Sequence, residues 1–240
     1  MNYFISVSYD GSKFYGFQRL KGKSTVQATL EHALTKINKD EVLVKGAGRT
    51  DRGVHALDQG VSFSLKQSIP PERLVNAINS LVGPYIKVNS ACYVDDTFHA
   101  RFSVLEKTYV YVINMGEFNP IFNDYLYNYN RCLNISIMKR SAKMLLGPHN
   151  FKSFTSGERD NYDSIINSIS FKKESDKLII TFRGKSFYRY MVRNLVGFFI
   201  AISENKISLN EIPDYLSGNL ENIHYTTVPA SGLYLTKIKY

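Results

Sequence analysis

The 240-residue chain reads as an α+β protein. Runs rich in β-branched and aromatic residues, bounded by turn signals, recur along its length. Segments of helical periodicity, several with caps, are interspersed among them. No low-complexity stretch or short-period repeat breaks the pattern, although strand-helix-strand units early and late in the chain echo one another.

In order, residues 1–9 alternate as a strand and Asp10-Gly11-Ser12 signals a turn. Ser24-Thr25-Val26-Gln27 has the form of a capping box. Val26, Leu30, Ala33, Leu34 and Ile37 then mark one helix face ending near Asn38. The apolar runs 42–44 and 61–65 read as strands flanking a loop. Pro70-Pro71-Glu72 opens a second helix, with proline tolerated in the first turn and an acid at the positive end. It runs to about residue 81, and a strand over 86–93 follows. Residues 107–113 form a β-branched, aromatic strand. A polar loop covers 114–131, and Asn134 caps a helix through about Leu146, with Ile137, Met138, Met144 and Leu145 as its core. Residues 165–171 and 177–182 pair as strands. A strongly apolar helix spans 189–204, Ser208 and Glu211 cap a short one, and 232–238 is a last strand. The division falls near 100–110, giving halves 1–105 and 106–240.

Net charge is +9 and the sequence pI is about 9.4, which favours an anionic partner such as nucleic acid. Tyr and Phe make up the 13% aromatic content, a supply of rings for base stacking or for the core. Cys92 and Cys132 are the two cysteines and have no C-x-x-C spacing, so neither a disulfide framework nor a zinc site is indicated. A reducing cytosol, hence a cytoplasmic location, is the simplest compartment. No signal peptide is read at the start, and the longest apolar run, 195–202, is too short to span a bilayer.

The most informative stretch is Gly46-Ala47-Gly48-Arg49-Thr50-Asp51-Arg52-Gly53-Val54-His55-Ala56. Gly46, Gly48 and Gly53 permit positive φ and close backbone approach. Asp51 is the loop's one acid, and Arg49 and Arg52 favour its ionised form. An ionised loop carboxylate can act as nucleophile, base or ligand; an Asx-turn is the plainer alternative. The spacing matches neither a Rossmann nor a P-loop fingerprint. His55, His99 and His149 lack metal-ligand spacing, so no metal is indicated.

Gly48 to Ala56, with Arg52 in the variable place, resembles the catalytic motif of the TruA-type tRNA pseudouridine synthases. Residues 9–18, Val26-Gln27, Phe98-His99-Ala100-Arg101-Phe102, Tyr109, Tyr111, 151–154, Met191-Val192-Arg193-Asn194 and 229–235 fall in the same family's order. Phe17 stands where the family usually has Trp, and Asn150 where it has an acid. The resemblance implies two ferredoxin-like halves whose sheets join across a central basic RNA-binding cleft. It implies a homodimer that isomerises uridine to pseudouridine in the anticodon stem-loop of tRNA, at positions 38 to 40, with no cofactor and no membrane.

By the same resemblance, Asp51 is the catalytic carboxylate, Tyr109 packs against the target base, and Arg193 is the basic partner of the carboxylate. A strand tyrosine in the core and a helix-surface arginine are the alternatives for the last two. The apolar helix makes a central arginine unusual, because a buried charge wants a partner. A uridine in a stem must leave the stack, and Arg49 would fill the vacated space or hold the flipped backbone, a phosphate contact without specificity being its alternative. Arg52, His55 and Arg101 are candidate RNA contacts. Gly232 would admit backbone to the uracil, with Leu233 as an apolar wall. Arg19, Lys21, Lys23, Lys107, Lys152 and Arg189 are further candidates for phosphate. A non-catalytic RNA-binding or chaperone protein, and a synthase acting on another position or RNA, are the competing readings.

Overall fold

The computed structural model describes residues 1–218, 220 and 222–240. The chain divides into two compact units, Met1–Leu105 with Tyr234–Tyr240, and Glu106–Leu233. Residues 234–240, placed with the second half by sequence order, thus cluster with the first unit.

The first unit runs β1 (Asn2–Tyr9), α1 (Val26–Asn38), β2 (Lys45–Gly46), β3 (His55–Ser64), α2 (Pro71–Val82), β4 (Ile86–Tyr93). β1 lies between β4 and β3, β2 lies on β3, and every one of these pairs is antiparallel. That is a β-α-β-β-α-β unit of ferredoxin-like order, with its second strand reduced to two residues. α2 shows the periodicity that sequence predicts, since Leu74, Ile78 and Val82 are buried at four-residue spacing.

The expected strand at 42–44 is absent because α1 takes its backbone groups. Glu31 Oε1 accepts from Val44 N at 3.1 Å, Gln27 Nε2 donates to Val44 O at 3.3 Å, and Thr35 Oγ1 accepts from Val42 N at 3.1 Å. Glu31 is 6% exposed and its charge is met by Arg19 at 3.2 Å. Such burial is tolerable only with partners. The α1 cap also shifts by one residue. Thr25, not Ser24, accepts from Ala28 N at 3.4 Å, and Gln27 bonds Arg19 N, Glu31 and Val44 rather than reaching back to the cap.

The second unit runs β5 (Glu106–Asn114), β6 (Tyr127–Asn128), α3 (Ile135–Met144), β7 (Gly147–Asn150), β8 (Asp163–Glu174), β9 (Lys177–Gly184), α4 (Met191–Ser203) and α5 (Ile212–Ser217). β9 sits between β5 and β8, and β7 edges β8, all antiparallel; β6 adds a short parallel pair on β5. The elements β5-α3-β8-β9-α4 therefore repeat the order and adjacency of β1-α1-β2-β3-α2. Eleven of the thirteen α4 residues are buried, which makes it the centre of this unit's core. Phe154, Tyr215 and Tyr225 pack around its Phe198, with ring centroids 5.1, 4.9 and 6.1 Å away. Asn134 caps α3 as expected, but Met144 is 40% exposed because the helix ends there. Ser208 and Glu211 form the expected capping box ahead of α5.

The last strand, β10 (Leu233–Lys239), pairs in parallel with the start of β3 at Tyr234–His55 and Leu235–Ala56. Among the described residues no helix is long and apolar enough to cross a membrane.

A side-chain cluster at the end of α4 makes a pH-dependent contribution. The Glu204 carboxyl is held below its ordinary value first by the Lys206 ammonium at 2.6 Å, then by the Tyr129 hydroxyl at 2.5 Å. A lowered folded pKa stabilises above the ordinary 4.5, and that stability is lost as pH falls through the folded value. Glu204→Gln should lower Tm at neutral pH by the equivalent of less than about 1 kcal/mol, because the paired cations are exposed. The gap to wild type should close on acidification. A gap unchanged down to strongly acidic pH would refute the assignment.

Candidate active site

The loop 47–54 enters from β2 and leaves into β3. Its path is fixed at several points. Ala47 N donates to Gly60 O at 2.8 Å, and Gln59 Nε2 donates to Gly48 O at 2.9 Å. Phe17 N donates to Thr50 O at 3.1 Å, and Thr50 Oγ1 bonds the Tyr9 hydroxyl at 2.8 Å. Val54 N donates to Asp51 O at 3.1 Å, closing a turn around Asp51. Asp51 is half-buried at the top of that turn, and Arg49 and Arg52 are exposed on either side. The anchors at Ala47, Gly48 and Thr50 come from β1, β3 and the segment after β1.

Of the loop glycines, Gly53 has the expected positive φ, at 83°. Gly46 does not; a Cβ there would fall 2.4 Å from the Phe17 ring, so packing rather than φ demands glycine. Outside the motif, Gly16 has φ 94° and a Cβ on it would lie 2.8 Å from Thr50 O. The segment carrying Tyr15-Gly16-Phe17 thus forms the floor of the loop. Tyr15 also collects charge, with Arg52 at 4.4 Å and Lys23 at 4.7 Å from its ring centroid.

His55, expected as an RNA contact, is buried in this structure. It is 3% exposed, its Nδ1 accepts from Gly11 N at 3.1 Å and lies 3.3 Å from Asp10 Oδ1, and its ring stacks on Tyr234 at 4.7 Å. It anchors the turn after β1 beneath the loop exit. Arg101 is exposed on a turn bound to the other end of β3, where Ala100 N donates to Ser62 Oγ at 3.2 Å. The expected start of β3 at Val61 is six residues late. The earlier residues are polar, but Asp58 accepts from Ser6 Oγ at 2.5 Å and from Ile238 N at 3.2 Å, so they enter the sheet satisfied.

In the second unit, Tyr109 lies on β5, opposite Phe182 in register, 8% exposed, with its ring 5.2 Å from Phe187. Tyr111 shares its strand face and is fully buried. Burial pushes the Tyr111 hydroxyl well above its ordinary pKa, against the pull of Arg193. That hydroxyl donates to Pro229 O at 2.7 Å, and Arg193 Nε donates to the neighbouring Val228 O at 2.8 Å. The strap 226–232 therefore ties α4 to β5, a connection no local sequence signal announced.

Arg193 is the third residue of α4, in its first turn and half-buried, rather than at the centre of the helix. Its guanidinium sits 4.8 Å from the Tyr190 ring centroid. Tyr190 itself is held at φ 64°, ψ −4°, a costly left-handed conformation for an aromatic residue. Gly232 and Leu233 are buried. A Cβ on Gly232 would fall 2.8 Å from both the Tyr111 ring and Val112 O. A side chain at this position would thus run into β5, so packing within the second unit by itself demands glycine there.

Among the described residues no three His, Cys, Asp or Glu side chains are grouped so as to hold a metal ion. Fold and loop together define an α+β protein built on a ferredoxin-like unit that presents a half-exposed carboxylate between two arginines on a tightly anchored turn. The sequence model of the family described as tRNA pseudouridine synthase matches residues 5–103 and 141–240, which include Asp51 and Arg193; Tyr109 lies between the matched segments. The chain is 37% identical over 242 residues to tRNA pseudouridine synthase A of Malacoplasma penetrans (strain HF-2), with all of both chains covered. It is 39% identical over 247 residues to tRNA pseudouridine synthase A of Dictyoglomus thermophilum (strain ATCC 35947 / DSM 3960 / H-6-12), again covering all of both. The chain belongs to the tRNA pseudouridine synthase family, a family of isomerases.

Proposed function

We propose that this protein isomerises uridine to pseudouridine in the anticodon stem-loop of tRNA, at positions 38, 39 and 40, as a cytoplasmic homodimer. The observation that carries the reading is Asp51, a carboxylate at the top of a turn fixed by backbone and side-chain bonds from three segments. In the reaction the N1–C1′ glycosidic bond breaks, the uracil turns, and C5 bonds to C1′. The C5 proton is released and N1 gains one, so substrate and product are isomers and the chemistry needs no redox partner. Asp51 serves as nucleophile or base and must be ionised for either. Tyr109 packs against the target base, and Arg193 is the cationic member of the site. Arg49, Arg52 and Arg101 meet the RNA backbone, supported by the net charge of +9.

The test is tritium release from tRNA carrying 5-tritiated uridine. Release that disappears when uridines 38, 39 and 40 are replaced by cytidine supports both activity and position. Release that survives the replacement moves the target elsewhere. No release from any tRNA overturns the activity. Sedimentation of the protein alone at micromolar concentration checks the dimer.

A further inference from the structure

The residue before Asp51 is held more firmly than the motif itself requires. Thr50 is 7% exposed, its carbonyl accepts from Phe17 N at 3.1 Å, and its Oγ1 bonds the Tyr9 hydroxyl at 2.8 Å. The carbonyl bond fixes the plane of the peptide joining Thr50 to Asp51. The hydroxyl bond fixes the Thr50 side chain and with it the direction from which that peptide arrives. Tyr9 sits at the end of β1, 5% exposed, and its own strand position is set by pairing with Ala56. Two residues earlier the Gly48 carbonyl is held by Gln59, itself fully buried.

We infer that Tyr9 is a positioning residue for the catalytic carboxylate, acting through Thr50 to orient the peptide that carries Asp51. The inference rests on the reading of Asp51 as the catalytic group. Burial pushes the Tyr9 hydroxyl up to about 12, with the bonds to Thr50 and Gln59 pulling it back only in part. It stays protonated at neutral pH and acts as a hydrogen-bonding strut, not as an acid or base. A buried hydroxyl is costly without a partner, so removing Tyr9 takes the hydroxyl partner from Thr50, while Tyr9 without Thr50 keeps only its bond with Gln59. Misplacement of a reacting group by a fraction of an ångström lowers the chemical rate while leaving the tRNA grip intact.

The experiment measures single-turnover isomerisation, tRNA Kd and Tm for the full chain carrying Tyr9→Phe, Thr50→Val, Thr50→Ser, or Tyr9→Phe with Thr50→Val. Tyr9→Phe and Thr50→Val should each slow the chemical step by about tenfold, with Kd unchanged. The double variant should be no slower than the slower single, because both remove one shared interaction. Thr50→Ser, which keeps the hydroxyl, should restore most of the rate. A wild-type rate for Tyr9→Phe, or rate losses that multiply in the double variant, overturns the inference. If Tyr9→Phe fails to fold, Thr50→Val against Thr50→Ser decides alone, and equal rates overturn it. Activity retained by Asp51→Asn would defeat the catalytic reading itself; an inert Asp51→Asn beside a fully active Tyr9→Phe would defeat only the positioning role.

Discussion

Asp51→Asn is expected to abolish tritium release from tRNA, a loss on the order of 10⁴-fold or more, as for removal of a catalytic nucleophile. The amide keeps the size of the carboxylate but cannot ionise, so it can neither attack carbon nor accept the proton. The fold should survive. The turn at Asp51 is closed by its backbone carbonyl and Val54 N, and the neighbouring anchors belong to Gly48, Thr50 and Ala47. Tm and tRNA affinity should therefore stay near the wild-type values. A variant that binds tRNA, melts normally and releases no tritium isolates the chemical step. Release at the wild-type rate would remove Asp51 from the mechanism.

Phe198→Ala is expected to have the largest effect on stability. Phe198 is fully buried on α4, and its ring meets Phe154, Tyr215 and Tyr225 with centroids 5.1, 4.9 and 6.1 Å away. Truncation loses the transfer of the ring from water and leaves a cavity that three large neighbours cannot easily collapse into. The cost should be about 3–5 kcal/mol, and Tm should fall by roughly 10 °C. Chemical denaturation with an unchanged m-value would show that stability alone has moved. A loss below about 1 kcal/mol would mean that this aromatic cluster does not hold the second unit together.

Much of the fold was legible residue by residue. The strands at 2–9, 86–93, 163–174 and 177–184 follow from alternation and β-branched content, and α2 and α4 from their periodicity and apolar faces. The caps at Asn134 and Ser208 were likewise readable, because a cap is a bond between near neighbours. The misses share a cause. Residues 42–44 look like a strand, yet their amides and carbonyl are taken by α1 side chains 7, 13 and 17 residues away, those of Thr35, Glu31 and Gln27. The polar start of β3 looks like loop, yet Ser6 and Ile238 satisfy its Asp58. His55 follows the loop in sequence, and only the fold shows that the turn after β1 packs on it.

The sequence by itself determined the α+β class, the family motif and the position of one carboxylate between two arginines, because each depends on residues contiguous in the chain. The tertiary structure decided which backbone groups pair, where the strands begin, and what holds the loop 47–54. It brought Tyr9, Phe17 and Gln59 beneath residues 48–50, set Arg193 against the Val228 carbonyl, and carried the last strand back to β3. Local periodicity reports which face of an element is apolar. The partner of a buried amide or hydroxyl is chosen by whatever folding brings beside it, and that is a property of the whole chain.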